Sequence, residues 1–400
     1  FGYVKEIDRL IRKDLENKEY YELGDLVGWS GLEKHYESFL RGKRGTYFYE
    51  VDASGREVGS ATELSDTRPS PGGNIQTTID LELQVHCEKL MVDKKGVILV
   101  GEPLNGGILA AVSSPDYPPD FFTGLITESD WNDIRTNPDK PLINRYIQGK
   151  YIPGSIVKMI TQIALLKSQH FNKEVKQYCP GFYQFGDRIF GCWYTEGHGE
   201  LNVTEAMAVS CDVYFYKTVK QLNLRDLNRT FNDFGFGQKT KIDIPNETVG
   251  LVPDSEYMRK RYGKYGWSKG VLLNLAIGQG ELLVTPMQVL NYVNLLATKG
   301  KAPNCHFVFV DNLPLNTSPN LEHQIWDNVH KGMRDAIISK NGTGKKADIN
   351  VKGFDLYGKT GTAENPHGDN HAWFVGWADY NNEKYSIVIL LENAGSGGSV

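Results

Sequence analysis

The 400 residues carry 49 acidic and 44 basic side chains, a net charge of −5, with 40% hydrophobic and 23% charged content. This is ordinary globular composition, and it excludes a nucleic-acid binder working through bulk basicity. At about 150 residues per domain the length allows two or three domains, and no run of 18 apolar residues is present to span a bilayer.

The chain opens at FGYVKEIDRL, which reads as the middle of an amphipathic helix, without a positively charged leader ahead of an apolar core. It stops after the Gly-rich NAGSGGSV, so both ends read as truncated, with room for a membrane anchor outside the sequence. Leu32 to Leu40 predicts a short helix, and GTYFYEVDASGREV predicts a strand, a turn at Asp52 to Gly55 and a returning strand. A polar, Pro- and Gly-containing stretch from Thr62 to Asn74 reads as a linker. Residues 1–75 are therefore expected to form a small α+β unit with its linker, and residues 76–400 the main domain.

IQTTIDLELQVHCEKLMVDKKG predicts a strand and then a helix, and two apolar runs joined at Asn105-Gly106-Gly107 predict a hairpin. HAWFVGWADY and YSIVILLEN flank Asn381 and Asn382, a second hairpin signal, with helical patterns between the two regions, including Asn202 to Gln221 and Thr285 to Leu296. Strands near both ends of one domain with helices between them predict an antiparallel sheet flanked by helices, an α+β layout.

KYIPGSIVKMITQIALL reads as a buried helix broken at its start by Pro153 and Gly154. Ser155 and Lys158, three residues apart, share a helix face at its first turn. A hydroxyl beside a desolvated amine is a candidate nucleophile and base; a capping serine and a lysine reaching to water is the alternative. Further on, AVSCDVYFYKTVKQL puts Ser210, Cys211 and Asp212 at the head of an aromatic segment, and YGKTGTAEN puts Lys359, Thr360, Gly361 and Thr362 just before strand-like sequence.

Ser-x-x-Lys, Ser-x-Asp and Lys-Thr-Gly-Thr in this order resemble the signature of penicillin-binding proteins and class A β-lactamases. The match extends through GLEKHYESFLRGKRG, IQTTIDLELQ, PGSIVK, AIGQGELLVTPMQV and KTGTAE, which look like landmarks of class B penicillin-binding proteins, the monofunctional peptidoglycan DD-transpeptidases. The insertion CPGFYQFGDRIFGCWYTEGHGELNVTEAMAVSCD resembles the elongation-specific branch, and the N-terminal unit resembles the head of that family's non-catalytic pedestal. Asp212 departs from the usual amide at the third position of the second motif.

The resemblance implies the penicilloyl-serine transferase fold and acyl transfer from D-Ala-D-Ala stem peptides through Ser155, with Lys158 as base, helped to its neutral form by burial and by Lys359 as a neighbouring cation. It implies Ser210, with Asp212 beside it, as a proton relay, and Lys359, Thr360, Gly361 and Thr362 as the cradle of the substrate carboxylate. The backbone N–H groups of Ser155 and Thr362 would receive the oxyanion, and no cofactor is needed for this chemistry. β-Lactams would acylate the same serine and leave slowly. Anchoring in the cytoplasmic membrane, a periplasmic catalytic domain, and partners of the SEDS glycosyltransferase and MreC scaffold kinds follow by analogy. The competing functions are a serine β-lactamase or DD-carboxypeptidase, and a non-catalytic β-lactam-sensing scaffold.

Cys179, Cys192, His198 and Cys211 offer three thiols and an imidazole, at separations of 13, 6 and 13 positions that match no compact finger. Spacing alone favours a Cys179–Cys192 disulfide or unlinked core cysteines. The resemblance instead implies structural zinc, since elongation-type members can carry a metal in this insertion. His371 is expected to be structural.

Overall fold

The structure is a computed structural model that describes residues 2–15, 20–61, 64–124, 126–263, 266–310, 314–317, 320–349, 351–365 and 368–398. The chain divides into two compact units, the first made of Phe1–Thr77, Pro118–Trp131 and Asp243–Pro245, the second of the remainder.

In the first unit, β1 (Val4–Glu6) pairs antiparallel with β2 (Leu26–Gly28), and α1 (Arg9–Asp14) lies between them in sequence. The expected N-terminal helix is thus replaced over its first residues by a strand. Its apolar residues are used to seat Ile7, Ile11 and Val27 together against Leu15, Tyr21 and Trp29, a tertiary demand that overrides local propensity. The helix expected over Leu32 to Leu40 is two short ones, α2 (Gly31–His35) and α3 (Glu37–Leu40), interrupted at Tyr36. The predicted hairpin forms as β3 (Tyr49–Val51) and β4 (Glu57–Ser60), its turn closed by Asp52, whose carboxylate accepts from the N–H groups of Ser54 and Arg56.

The second unit begins with α4 (Leu81–Leu90), capped by Asp80, whose side chain accepts from Leu83 N at 3.0 Å. Residues 75–80 form no regular strand; Thr78 N and Asp80 N instead donate to the carbonyls of Phe307 and Leu109. β5 (Gly96–Gly101) and β6 (Ile108–Ser114) make the first predicted hairpin. Next come α5 (Glu128–Thr136), whose residues up to Trp131 count with the first unit, α6 (Arg145–Gln148) and α7 (Lys158–Leu166), the last with every residue from Lys158 to Leu165 buried. A run of short strands, β7 (Gln177–Cys179), β8 (Phe182–Phe185), β9 (Arg188–Gly191) and β10 (Gly199–Leu201), pairs as β7 with β10 and β8 with β9.

The helical pattern from Asn202 to Gln221 is divided into α8 (Val203–Ala208) and α9 (Asp212–Thr218) at Ser210-Cys211. α10 (Leu224–Asp233), α11 (Ser255–Tyr262), α12 (Gly270–Ala276) and α13 (Pro286–Ala297) follow, then β11 (Lys301–Pro303), β12 (Leu315–Thr317) and α14 (His323–Ile338). Helix α13 starts with a Thr285/Gln288 capping box and Pro286 in its first turn, and all twelve residues are buried.

β13 (Phe354–Ala363), β14 (His371–Tyr380) and β15 (Glu383–Leu391) complete an antiparallel sheet in the order β13-β14-β15-β5-β6, the late strands closing on the early hairpin as predicted. Asn381 and Asn382 turn the second hairpin at φ +51° and +67°. Alternation along the strands separates two faces. On one of them Ile387 and Ile389 lie with Leu356, Phe374 and Ile337 of α14, and Ile389, opposite Ile98 in the register, also packs with Ile98, Ala110 and Val112 against Cys87 and Met91 of the α4 region. The sheet therefore holds helices against it, and no helix among the described residues is long and apolar enough to cross a membrane. β13 stands at one end of the order, with one edge free of strand partners among the described residues.

Candidate active site

Three segments meet beside that free edge. The first is the turn before α7. Tyr151 exchanges backbone hydrogen bonds with Val284, the Trp373 indole donates to Ile152 O at 3.1 Å, and Gly154 N donates to Gly278 O at 2.9 Å. Gly154 adopts φ +59°, and a Cβ there would stand 2.4 Å from Thr362 O, so only glycine lets this turn approach the strand so closely. A short 3₁₀ turn over Gly154–Val157 carries Ser155, half-buried, and α7 begins at Lys158, wholly buried.

The second segment is the break between α8 and α9. Cys211 N donates to Ala206 O and ends α8, and Ser210 takes the left-handed φ of +54°. Cys211 then caps α9, its sulfur accepting from Tyr214 N, which puts Asp212 in the first turn of the new helix. Lys158 Nζ donates to Ser210 O at 2.8 Å, to Ser210 Oγ at 3.2 Å and to Asp212 Oδ1 at 2.7 Å. The three protons of the ammonium are thereby matched by three acceptors. Among the described residues no hydrogen bond joins the Ser155 hydroxyl to this amine, although the two share the helix start.

The third is β13 itself. Lys359, Thr360, Gly361 and Thr362 lie within this strand rather than ahead of one, in register with Val375, Phe374, Trp373 and Ala372 of β14. Lys359 Nζ is buried and donates to Ser210 Oγ at 2.8 Å and to Thr360 O at 2.8 Å. The Ser210 hydroxyl thus bridges two lysines. Burial first, and then the charge on Lys158, hold the Lys359 pKa well below the ordinary lysine range, with Asp212 opposing. The expectation had Lys359 as the cation that discharges Lys158; in the structure the Lys158 amine also donates to the Asp212 carboxylate, and both lysines reach the Ser210 hydroxyl. Thr360 Oγ1 donates to Thr343 Oγ1 at 2.9 Å, and Thr362 Oγ1 accepts from Gly397 N at 3.3 Å.

The four predicted metal ligands also converge. One donor atom each from Cys179, Cys192, His198 and Cys211 lies within 4.8 Å of the others. Pairing of β7 with β10 sets Cys179 opposite Gly199, next to His198, and Cys192 N donates to Gly181 O. All five cysteines are free and buried, so the Cys179–Cys192 disulfide does not form. His198 Nδ1 stands 3.7 Å from the Cys179 sulfur and 3.5 Å from that of Cys192, and its Nε2 is buried without a partner among the described residues. A hydrogen bond from Cys211 drives the Cys192 thiol far down, while the same contact pushes Cys211 up. Three sulfurs and an imidazole in a buried cluster of this size fit the donor set of tetrahedral zinc.

One carboxylate connects this cluster to the lysines: Asp212 Oδ2 accepts from Trp193 N at 3.0 Å, next to Cys192, while its other oxygen meets Lys158. The Trp193 indole donates to Val209 O at 3.0 Å. Sequence reasoning missed Trp193, Thr343 and Gln279, and it missed the buried Arg145, which pairs with Glu392 at 3.0 Å alongside the Tyr151 hydroxyl. Only Gln279 carried a local signal, standing between two glycines. His371, taken as structural, accepts from Asn393 N and packs edge-on to Tyr151.

Known proteins resemble this chain along its whole length. The family described as penicillin binding protein transpeptidase domain matches residues 96–400, and the penicillin-binding protein dimerisation domain matches residues 1–77. A peptidoglycan D,D-transpeptidase MrdA from Haemophilus influenzae is 31% identical, the alignment covering 100% of this chain and 65% of the relative. The chain thus spans slightly under two thirds of that relative's length. Among solved structures, the complex of penicillin-binding protein PBP2 with MreC from Helicobacter pylori gives a TM-score of 0.91 at 35% identity, covering 99% of this chain and 74% of that one. Pseudomonas aeruginosa PBP2 in complex with WCK 5153 gives 0.86 at 31%, covering 99% and 84%. With its antiparallel sheet, its three motifs beside one strand edge and these matches, the chain belongs to the penicillin-binding protein transpeptidase family, among relatives of the MrdA and PBP2 type.

Proposed function

We propose that this protein is a peptidoglycan DD-transpeptidase of cell elongation that crosslinks stem peptides through an acyl-serine intermediate and is a target of β-lactams. The observation that carries the reading is the buried chain Lys158–Ser210–Lys359, one hydroxyl between two amines, beside the half-buried Ser155.

Ser155 Oγ attacks the penultimate D-Ala carbonyl. Its proton needs an acceptor, and Lys158 becomes one by passing a proton to Asp212 Oδ1 across 2.7 Å, an exchange that replaces a buried ion pair with a neutral one. The C–N bond to the terminal D-Ala then breaks, with Ser210 relaying a proton from the lysines to the leaving nitrogen. The backbone N–H groups of Ser155 and Thr362 receive the oxyanion; losing one such donor costs about 3 to 4 kcal/mol in comparable sites. Lys359, with Thr360, Gly361 and Thr362 along β13, holds the substrate's terminal carboxylate, which supplies the negative partner that burial denies to Lys359. An amine from a neighbouring stem peptide displaces the enzyme.

Zinc held by Cys179, Cys192, His198 and Cys211 has a structural role in this reading, bracing the turn that carries Ser210. The setting is the periplasmic face of the inner membrane, through an N-terminal anchor outside these residues. An MreC-type scaffold and a SEDS glycosyltransferase are the partners, the former supported by the PBP2–MreC complex from Helicobacter pylori.

The test is the intact mass after incubation with a penicillin, followed by peptide mapping. A stable adduct of one penicillin on Ser155 is expected. Rapid loss of the label would identify a β-lactamase, an adduct elsewhere would remove the assignment of Ser155, and no adduct would leave a scaffold.

A further inference from the structure

The segment AIGQGELL was a family landmark with no role attached, yet its Gly278-Gln279 pair touches two of the three segments that build the site. Gly278 O accepts the N–H of Gly154, the residue before Ser155, at 2.9 Å. Gln279 uses both ends of its side-chain amide on the neighbouring strand: Nε2 donates to Thr362 O at 3.1 Å, and Oε1 accepts from Glu364 N at 3.3 Å.

These contacts have the pattern of a strand pairing. An amide that donates to residue i−1 and accepts from residue i+1 does what the peptide groups of a parallel neighbour would do, here about Ala363 on the free edge of β13. In an extended strand the N–H and C=O of one residue face the same side, so the Thr362 N–H shares the open edge with the carbonyl that Gln279 holds. Backbone contacts hold the loop at this point. Gly278 (φ +76°) and Gly280 (φ +80°) flank Gln279, Gln279 N donates to Asn274 O at 2.9 Å, and a Cβ at Gly278 would stand 2.1 Å from Gly154 O.

We propose that Gln279 is a positioning residue for acyl transfer: consecutive residues 278 and 279 hold the Ser155 turn and the Thr362 peptide, and so set the spacing of the two N–H donors that receive the oxyanion. This rests on the transpeptidase reading above. The side chain does not touch the reacting atoms; it acts through the Thr362 peptide. A misplaced donor weakens the transition state more than the bound substrate, so the effect falls on the acylation step.

The experiment measures penicillin acylation by rapid mixing, separating the acylation rate constant from the dissociation constant of the prior complex, on wild type and Gln279→Leu. Leucine keeps the bulk and removes both hydrogen bonds. The acylation rate constant should fall about tenfold to a hundredfold, the scale expected of a small misplacement at a reacting centre, with the dissociation constant within about twofold and the melting temperature nearly unchanged. An unchanged rate constant, or a parallel loss of rate, binding and melting temperature, overturns the inference.

Gln279→Glu gives an independent reading, and the deciding one should the leucine variant not fold. Its carboxylate accepts from Glu364 N but repels Thr362 O, and protonation restores the donor. The ratio of its acylation rate constant to that of wild type should rise as pH falls from 7 toward 5, and a flat ratio overturns the proposal. Wild type that forms no acyl-enzyme would overturn the transpeptidase reading and this inference together, whereas a reactive wild type with indifferent variants overturns this inference alone.

Discussion

The two banks of the site are built differently. Lys359 to Thr362 ride on a ten-residue strand whose backbone is tied to β14 from Phe354 to Ala363, within a five-stranded sheet that buries Trp373 and Trp377. The opposite bank, around Ser210 and Asp212, is supported by two pairs of strands only three or four residues long and by four side chains whose donor atoms crowd within 4.8 Å. A regular ladder needs nothing beyond its own peptide groups. A bank of short strands gains its rigidity from side-chain chemistry, here thiols, an imidazole and the Asp212 carboxylate. The strand bank is therefore expected to survive perturbations that loosen the thiol bank, and the two should separate under mutation.

The largest effect is expected at the nucleophile of the proposed reaction. Ser155→Ala should abolish the penicillin adduct completely while leaving the melting temperature near that of wild type, measured by intact mass and calorimetry. Next is Asp212→Asn, which keeps the shape and the Trp193 contact but removes the carboxylate from Lys158. Acylation should fall about a hundredfold, the lower range for loss of a proton-transfer group, and an undiminished rate would detach Asp212 from the chemistry.

Cys192→Ser probes the thiol bank itself. On the zinc reading proposed above, metal measured by elemental analysis should drop from about one per chain to a small fraction, and the melting temperature should fall by about 5 °C or more, since metal binding contributes directly to folding. Acylation should fall about tenfold through the Trp193–Asp212–Lys158 chain; unchanged melting and labelling would mean the two banks are equally self-supporting.

The smallest effect belongs to the strand bank. Burial holds the Lys359 pKa below the ordinary value, so the unfolded chain binds this proton more tightly than the folded one. Its contribution to stability rises with pH from the depressed folded value up to about 10.4 and is flat below it. Lys359→Met should remove that component. The difference in unfolding free energy between wild type and variant should climb across this window by at most about 1.4 kcal/mol per pH unit, and a difference independent of pH would mean Lys359 is buried charged.

Much of the strand bank was legible from the residues. Alternation and Asn pairs mark the hairpins, and the three motifs keep their order along the chain, so Ser155, Lys158, Ser210 and Lys359 could be named before their positions were known. What local pattern could not carry was partnership. Ser155 and Lys158 share a helix start, but the amine's acceptors come from residues 52 to 54 positions away. The Lys-Thr-Gly-Thr stretch looked like a lead-in to a strand because lysine and glycine are poor strand formers, and only its pairing with β14 makes it one. Separations of 13, 6 and 13 matched no metal finger because antiparallel pairing of β7 with β10 folds Cys179 back beside His198, a closure that linear spacing does not express. A separation of 247 positions likewise hid the contact between the buried Arg145 and Glu392.

Ser210 sits at φ +54°, a backbone shape that ordinary L residues adopt at a cost of about 1 to 2 kcal/mol and glycine adopts freely. A chain selected only for endurance on heating would be drawn toward glycine there, shedding the hydroxyl that links the two amines. Serine at this bend marks a point where the proposed acyl transfer and durability pull in opposite directions, and attempts to harden the protein against heat should leave it alone.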